Sequence, residues 1–314
     1  MTTPPITESY SERDQLGPLS QPDGDTLRAR VVRAATDALA TARAAELRST
    51  TEPHEAVHEV RKALRRLRAL VELVARTLPK SERRDLARGL SEARRTLGPA
   101  RDQEVARELL RGAAAAPELA APVAAIISSA DPDRSPTEAI AADVSRAVAE
   151  AGKHVDALIA ALPDELRPRR VARGLARTYA RARRARQRAK HSDRAVHRWR
   201  RRSKELSYQL SVIDALPGTG ELRSALGALD DQLSPIVDRL MAKDYVRRYG
   251  AAGSPEDTAL LLGHVHDELI ARKDEVRARS RDLFAMRPRK LRRRLVAALV
   301  RDHVDAPAEP AMVD

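Results

Sequence analysis

The sequence predicts an all-α protein, and three observations support this prediction. Of the 314 residues, 42% are hydrophobic but only 2% are aromatic, and most of the rest are alanine, leucine and valine, which suit close helix packing. Apolar residues recur every three to four positions along most of the chain, as they do in amphipathic helices. No stretch alternates between apolar and polar residues as a half-buried strand does.

Ten helices are predicted, and turn signals separate them. In chain order they span about residues 26–48, 53–78, 80–97, 99–115, 136–161, 168–190, 194–215, 220–241, 255–284 and 287–303. Breaks fall at Pro79, the Gly98-Pro99 pair, Pro163, the segment 217–220 and the segment 250–255.

The helices form two halves between acidic ends. Residues 1–25 are acidic, contain several prolines and have no apolar period, so a disordered tail is expected there, and a second one at 304–314. Residues 117–135 are rich in proline and alanine and are expected to link a first helical half, 26–116, to a second, 136–303.

Two short segments recur in the same order in both halves. The segment that begins at Val57 aligns with the one at Val196, matching a histidine, a base three residues later and another base seven residues later. Further along, LGPARDQ at 97–103 aligns with LGALDDQ at 226–232. The shared order indicates a duplicated helical bundle.

In each half, a row of cations begins at a histidine and runs beside an apolar stripe. The apolar stripes are Val57, Val60, Leu64, Leu67, Val71 and Val74 in the first half and Val196, Trp199, Ser203, Leu206, Leu210 and Ile213 in the second. The cation rows are His58, Arg61, Arg65 and Arg68, and His197, Arg200 and Lys204. A solvated face is the alternative interpretation, but like charges at these spacings repel and few acids interrupt the rows. We therefore interpret them as the lining of a groove for anions.

The overall charge also points to a polyanionic partner. The net charge is +13, and only eight of the 58 cationic residues are lysines, so most are arginines, whose guanidinium groups pair bidentately with phosphate. Between residues 169 and 202, fourteen arginines and one lysine face the single acid Asp193. Arg177, Arg181 and Arg184 lie on one helical row there and are expected to form a further wall of the groove.

Residues 54–58 also match H-E-x-x-H, in which two histidines hold zinc and the glutamate activates water. The glycine and third histidine of the extended pattern would fall where the chain has Arg61 and Leu64, and the helix around them is cationic. We interpret the match as accidental and expect no metal, no cofactor and no catalytic residue.

The chain has no cysteine and no long apolar run, so a cytoplasmic protein without membrane contact is expected.

At these residues the sequence resembles the CHAD family, the conserved histidine α-helical domain, over about residues 26–300. The motif H-x-x-R-x-x-x-R-R-x-R is matched by His58, Arg61, Arg65, Arg66 and Arg68. The motif L-G-x-x-R-D-x-x-V is matched by Leu97, Gly98, Arg101, Asp102 and Val105. The motif H-x-x-R-x-x-x-K-x-x-R-Y is matched by His197, Arg200, Lys204 and Tyr208.

The resemblance implies two pseudo-symmetric four-helix bundles that enclose a basic central channel. It also implies non-enzymatic binding of inorganic polyphosphate, often on cellular polyphosphate granules. The expected binding residues are His58, Arg61, Arg65, Arg66, Arg68, Arg101, Arg177, Arg181, Arg184, His197, Arg200, Arg201, Lys204 and Tyr208. Ser207 replaces a motif arginine and Asp230 aligns with Arg101, so the second half is expected to contribute fewer ligands.

Two other functions compete with this hypothesis. One is nucleic-acid binding, against which the seven aromatic residues do not interleave with arginine as a stacking surface requires. The other is a metal-dependent phosphohydrolase, for which Glu55, Glu59 and Glu72 would make a poor carboxylate cluster among so many arginines.

Overall fold

The computed structural model describes residues 26–130, 136–214, 216–250 and 254–305, and these ranges contain helices and their connections but no strand. The all-α prediction is confirmed. The helices are α1 (Leu27–Glu46), α2 (Pro53–Leu73), α3 (Lys80–Thr96), α4 (Gly98–Ala113), α5 (Pro117–Ala130), α6 (Thr137–Ala161), α7 (Pro168–Arg188), α8 (Asp193–Leu210), α9 (Thr219–Tyr249), α10 (Pro255–Arg279) and α11 (Pro288–Asp305). Short 3-10 turns follow α8 at Ser211–Ile213 and α10 at Asp282–Phe284.

The expected disordered tails fall largely outside these ranges. Residues 1–25 and 306–314 are not among the described residues, while α11 continues two residues into the expected second tail, to Asp305. None of the described helices combines the length and the apolar character that a membrane crossing requires.

Local signals account for several helix ends. Prolines begin α2, α7 and α10. Proline is tolerated there because backbone N–H groups in the first turn have no acceptor within the helix, so its missing N–H group costs no hydrogen bond. The side chains of Thr26 and Ser254 accept hydrogen bonds from the backbone N–H groups of Ala29 and Asp257, which caps α1 and α10. Gly218 precedes α9 with φ 76°, a backbone conformation that glycine adopts without strain.

The expected linker at residues 117–135 contains a helix. Pro117–Ala130 form α5, and its side chains Leu119, Val123 and Ile126 are buried against α4, α9 and α10 in a second apolar core. Pro117 occupies the first helical position, where proline is tolerated, and the alanines favour the helix. Pro117 thus marks the start of a packed helix and Pro122 lies inside it, while residues 131–135 lie outside the described ranges.

The helices gather into two groups that meet between α2 and α8. In the first group α1, α2, α3 and α6 pack around a shared apolar core. In the second, α7 packs against α8 and α11, and α8 packs against α9. α4 and α5 lie against α9 and α10, so segments from both halves share the second core. The internal duplication itself stays a prediction.

The two apolar stripes predicted from the sequence are both buried. All twelve side chains are at most 1% exposed. The first stripe runs along α2 from Val57 to Val74, just beyond the helix end, and the second runs from Val196 on α8 to Ile213 in the following turn. Because the stripes face the core, the residues that follow each stripe position by one lie at its edge. The stripes therefore orient the two cation rows.

Close contacts join α2 to the second group. The side-chain amide of Gln209 on α8 donates a buried hydrogen bond of 3.0 Å to the backbone carbonyl of Ala69. A Cβ atom on Gly174 of α7 would lie 2.2 Å from the backbone oxygen of Leu73. The missing side chain at Gly174 thus permits α7 to approach the end of α2.

Candidate functional site

Five arginines from three helices gather where α2, α3 and α8 meet, and we name them the guanidinium cluster. Its members are Arg65 and Arg68 of α2, Arg94 of α3, and Arg201 and Arg202 of α8. Arg65 and Arg68 each follow a buried leucine of the α2 stripe by one position, so they lie at the edge of the core. Since α3 and α8 both pack against α2, their arginines reach the same region.

The cluster members perturb one another electrostatically. Burial lowers the pKa of Arg94, and the charges of Arg65 and Arg68 lower it further. Partial loss of solvation and the charges of Arg202, Arg68 and Arg94 lower the pKa of Arg201 to about 10, although part of this side chain stays exposed. Beside burial, the neighbouring guanidinium groups contribute to both lowered pKa values, which indicates an unfavourable concentration of positive charge.

Carboxylates offset only part of this charge. Arg202 pairs with Glu205 one turn further along α8. Within the described parts of the chain, Arg68, Arg94 and Arg201 form no ion pair. Asp102 and Glu205 act on Arg94 and Arg201 only through the electrostatic field, so positive charge remains in excess, and such an excess provides a site for a multivalent anion.

Arg61, by contrast, is used inside the protein. Its side chain is 6% exposed and donates hydrogen bonds of 2.9 Å to the backbone carbonyl of Leu97 and 3.0 Å to the carboxylate of Asp102. It therefore joins α2 to the start of α4. The contacts of Arg61 thus connect residues of the H-x-x-R and L-G-x-x-R-D motifs.

One carboxylate pairs with both Arg200 and Lys204 of the second cation row. Asp230 of α9 lies 3.0 Å from Nε of Arg200 and 3.0 Å from Nζ of Lys204, and Arg200 also donates to the hydroxyl of Ser234. Asp230 is the residue that replaces a motif arginine. In this half, the expected ligands thus face an acid that the chain supplies itself.

The arginines of α7 have several different surroundings. Arg177 and Arg181 bind the same carboxylate oxygen of Glu72 on α2, at 2.6 and 3.1 Å, whereas Arg184 is exposed. Burial alone would raise the pKa of Glu72, but Arg181 and Arg177 lower it below its ordinary value. These two arginines therefore link α7 to α2, and Arg184 remains on the surface.

Arg66 and Tyr208 lie together, apart from the cluster. The guanidinium carbon of Arg66 is 5.7 Å from the centre of the Tyr208 ring, beside a cavity of about 50 Å³ that residues of α1 also line. Arg66 is about 160° around α2 from Arg68, given 100° per residue. The structure therefore separates two residues of the expected site from the other members.

The two motif histidines are both partly buried. Burial is the main cause that lowers the pKa of His197, with Arg200 acting in the same direction, while Asp244, Asp193 and Asp102 oppose it. The surroundings of His197 therefore favour the neutral imidazole. His58 lies on α2 at the start of its row.

Two further residues singled out in the sequence have simple placements. The backbone of Arg101 is in α4, but its side chain is outside the described residues. His54 lies 3.6 Å from Glu104, and the described residues contain no group of three or more histidines and acids arranged to hold a metal ion.

Sequence reasoning missed Arg94 and Arg202. Arg94 stands in the last turn of α3, just before the Leu97-Gly98 motif, and Arg202 directly follows the expected ligand Arg201. Their proximity in the chain to motif residues is the signal that could have identified them. Their grouping with Arg68 depends on how the helices pack.

Comparisons with known proteins show the family and the fold of the chain. A family model described as the CHAD domain matches residues 30–244. The chain is also similar to the crystal structure of the CHAD domain from the plant Ricinus communis, with a TM-score of 0.64 and 18% identity, covering 86% of this chain and 96% of that one. At this identity the likeness shows the fold. A search of curated proteins gives no match.

Proposed function

We propose, from the premise that this chain belongs to the CHAD family, that it binds inorganic polyphosphate without transforming it and that the guanidinium cluster is the centre of the binding site. The observation that carries the proposal is the convergence of Arg68, Arg94 and Arg201 without ion-pair partners in the described residues. A linear chain of closely spaced phosphates offers acceptors to several guanidinium groups at once, with no bases to recognise.

The other expected residues take more specific parts in this proposal. Arg61 holds the scaffold in place, because its Nη1 and Nη2 groups already donate to Leu97 and Asp102. Arg200 and Lys204 bind a phosphate only if they leave the Asp230 carboxylate or contact the carboxylate and the phosphate together. His58 and His197 are proposed to border the site, and an adjacent phosphate would favour the charged form of either histidine. By this function the protein would be located in the cytoplasm on polyphosphate granules.

The first test combines an affinity measurement with a stability measurement on Arg68→Ala/Arg94→Ala. Each charge-assisted hydrogen bond contributes about 1.5–3 kcal/mol, so we expect the Kd for long-chain polyphosphate to rise at least roughly tenfold to hundredfold. We expect the Tm to stay the same or to rise, because the substitutions relieve repulsion between like charges. Opposite changes in affinity and stability are typical of a ligand site.

The matched control is Arg292→Ala/Arg293→Ala, which removes the same charge from two exposed positions on α11. If both variants bind equally weakly, the attraction is due to net charge alone and the proposed site is wrong. DNA and RNA serve as competitors at fixed salt, and equal or tighter binding of either would favour the nucleic-acid alternative. Shortening of the polyphosphate in the presence of Mg²⁺ or Mn²⁺ would contradict the non-enzymatic assignment.

A further inference from the structure

A second basic cavity lies at the turn between α7 and α8, outside the guanidinium cluster. We name it the turn pocket. It has a volume of about 280 Å³ and is lined by Arg188, His191, Ser192, Arg194, Ala195 and Arg198, with no acid among them. It is therefore a cationic cavity separate from the proposed centre of the binding site.

The cations of the turn pocket are not engaged within the protein. In the part of the chain that the structure describes, the side chains of Arg188, His191, Arg194 and Arg198 make no ion pair and no hydrogen bond. The neighbouring acid, Asp193, is bound 2.8 Å from Lys273 of α10 and 3.6 Å from Lys243 of α9. The Asp193 carboxylate is thus already paired with two lysines that do not line the pocket.

The helical register of α8 connects the turn pocket to the guanidinium cluster. Arg194, Arg198 and Arg201 are spaced by four and three residues, so they lie along one face of α8. Seven residues correspond to about 10 Å along a helix. Arg194 and Arg198 line the pocket, and Arg201 belongs to the cluster. The three side chains form a short cationic track between the two places.

We propose that the turn pocket is a second phosphate subsite, occupied by the part of a polyphosphate chain that extends beyond the guanidinium cluster along α8. This inference rests on the proposed function. It makes affinity depend on chain length, because a short polyphosphate fills the cluster alone and a longer one also reaches the pocket. Linking two subsites through one ligand raises its apparent affinity without any change in the cluster.

The test is a comparison of two ligands with the variant Arg194→Ala/Arg198→Ala. We expect the Kd for long-chain polyphosphate to rise about tenfold, while the Kd for tripolyphosphate changes less than about twofold. Arg68→Ala/Arg94→Ala should weaken both ligands. Arg194 is exposed, Arg198 is partly buried, and neither side chain makes an ion pair or a hydrogen bond within the described residues, so the Tm should change little, and a thermal scan checks this.

Two results would overturn the subsite while leaving the proposed function intact. One is an unchanged affinity of the turn-pocket variant for the long chain. The other is an equal loss for both ligands, which would indicate a general electrostatic attraction. If the wild-type protein binds neither polyphosphate, the proposed function fails and the subsite fails with it.

Discussion

At the scale of single residues, the role of each arginine depends on what faces its guanidinium group. Arg61 faces a carbonyl and a carboxylate and is structural. Arg200 faces Asp230 and is neutralised. Arg68 and Arg94 face other arginines and have no ion pair in the described residues. Motif membership alone does not distinguish these cases.

The Asp230 carboxylate should compete with a bound phosphate, which gives a first residue-level prediction. Asp230→Asn keeps the shape of the side chain but removes the ion pairs of Arg200 and Lys204 with this carboxylate. A partly exposed ion pair is worth about 0.2–1 kcal/mol, so the Kd for long-chain polyphosphate should fall by up to about fivefold.

The control for Asp230→Asn is Asp143→Asn, which removes the same charge from a pair with Arg146 on α6. A comparable gain in affinity from Asp143→Asn would mean that only net charge matters. A titration at constant ionic strength measures both variants.

His197 gives a second residue-level prediction, which concerns pH. Because burial lowers its pKa in the folded protein, the unfolded chain binds a proton at this residue more readily. The stability that neutral His197 contributes is therefore present above its unfolded pKa and is lost as the pH falls through the folded pKa. The Tm of the wild type should decrease on acidification more than that of His197→Gln.

The comparison for the pH effect is His264→Gln, since His264 is exposed on α10. This variant should follow the wild-type pH dependence. Parallel Tm curves for the wild type and His197→Gln between pH 8 and pH 5 would contradict the role assigned to the buried imidazole.

At the scale of elements, close helix contacts hold the cation rows in place. α7 can approach the end of α2 only because Gly174 has no side chain. The ion pairs from Arg177 and Arg181 to Glu72 join the same two helices. The position of α7 relative to α2 thus depends on both a missing side chain and a shared carboxylate.

Gly174→Ala tests this contact. Its Cβ would lie 2.2 Å from a backbone oxygen, so helix α7 or α2 must shift, and we expect a loss of about 1–3 kcal/mol in the free energy of unfolding. Gly227→Ala is the control, because a Cβ there meets no atom within 4 Å and alanine favours a helix. Chemical denaturation measures both, and equal stabilities would contradict the close approach.

The elements also explain where the sequence interpretation failed. In α5, the buried residues Leu119, Val123, Ile126 and Ala130 are spaced by four, three and four, which is a helical stripe. The prolines of this segment predicted a linker, although Pro117 begins the helix. α9 continues to Tyr249, eight residues beyond its expected end, because its last turns complete the second core.

At the scale of the whole molecule, the chain places its positive charge unevenly. The turn pocket and the guanidinium cluster lie about two turns apart along α8, while Asp230 and Glu72 each pair with two cations. The net charge of +13 describes none of this distribution. Under the proposed function, a polyphosphate chain would bind where arginines lack ion pairs with acids within the described residues.

The sequence by itself determined the all-α class, the two buried stripes and the cation rows beside them, because helical periodicity decides which residues share a face. Only the tertiary structure decided which of those cations are neutralised. Arg177 and Glu72 are 105 residues apart in the chain, and Arg94 meets Arg201 from a different helix. Electrostatic interaction depends on distance in space, which helix packing sets and local periodicity does not.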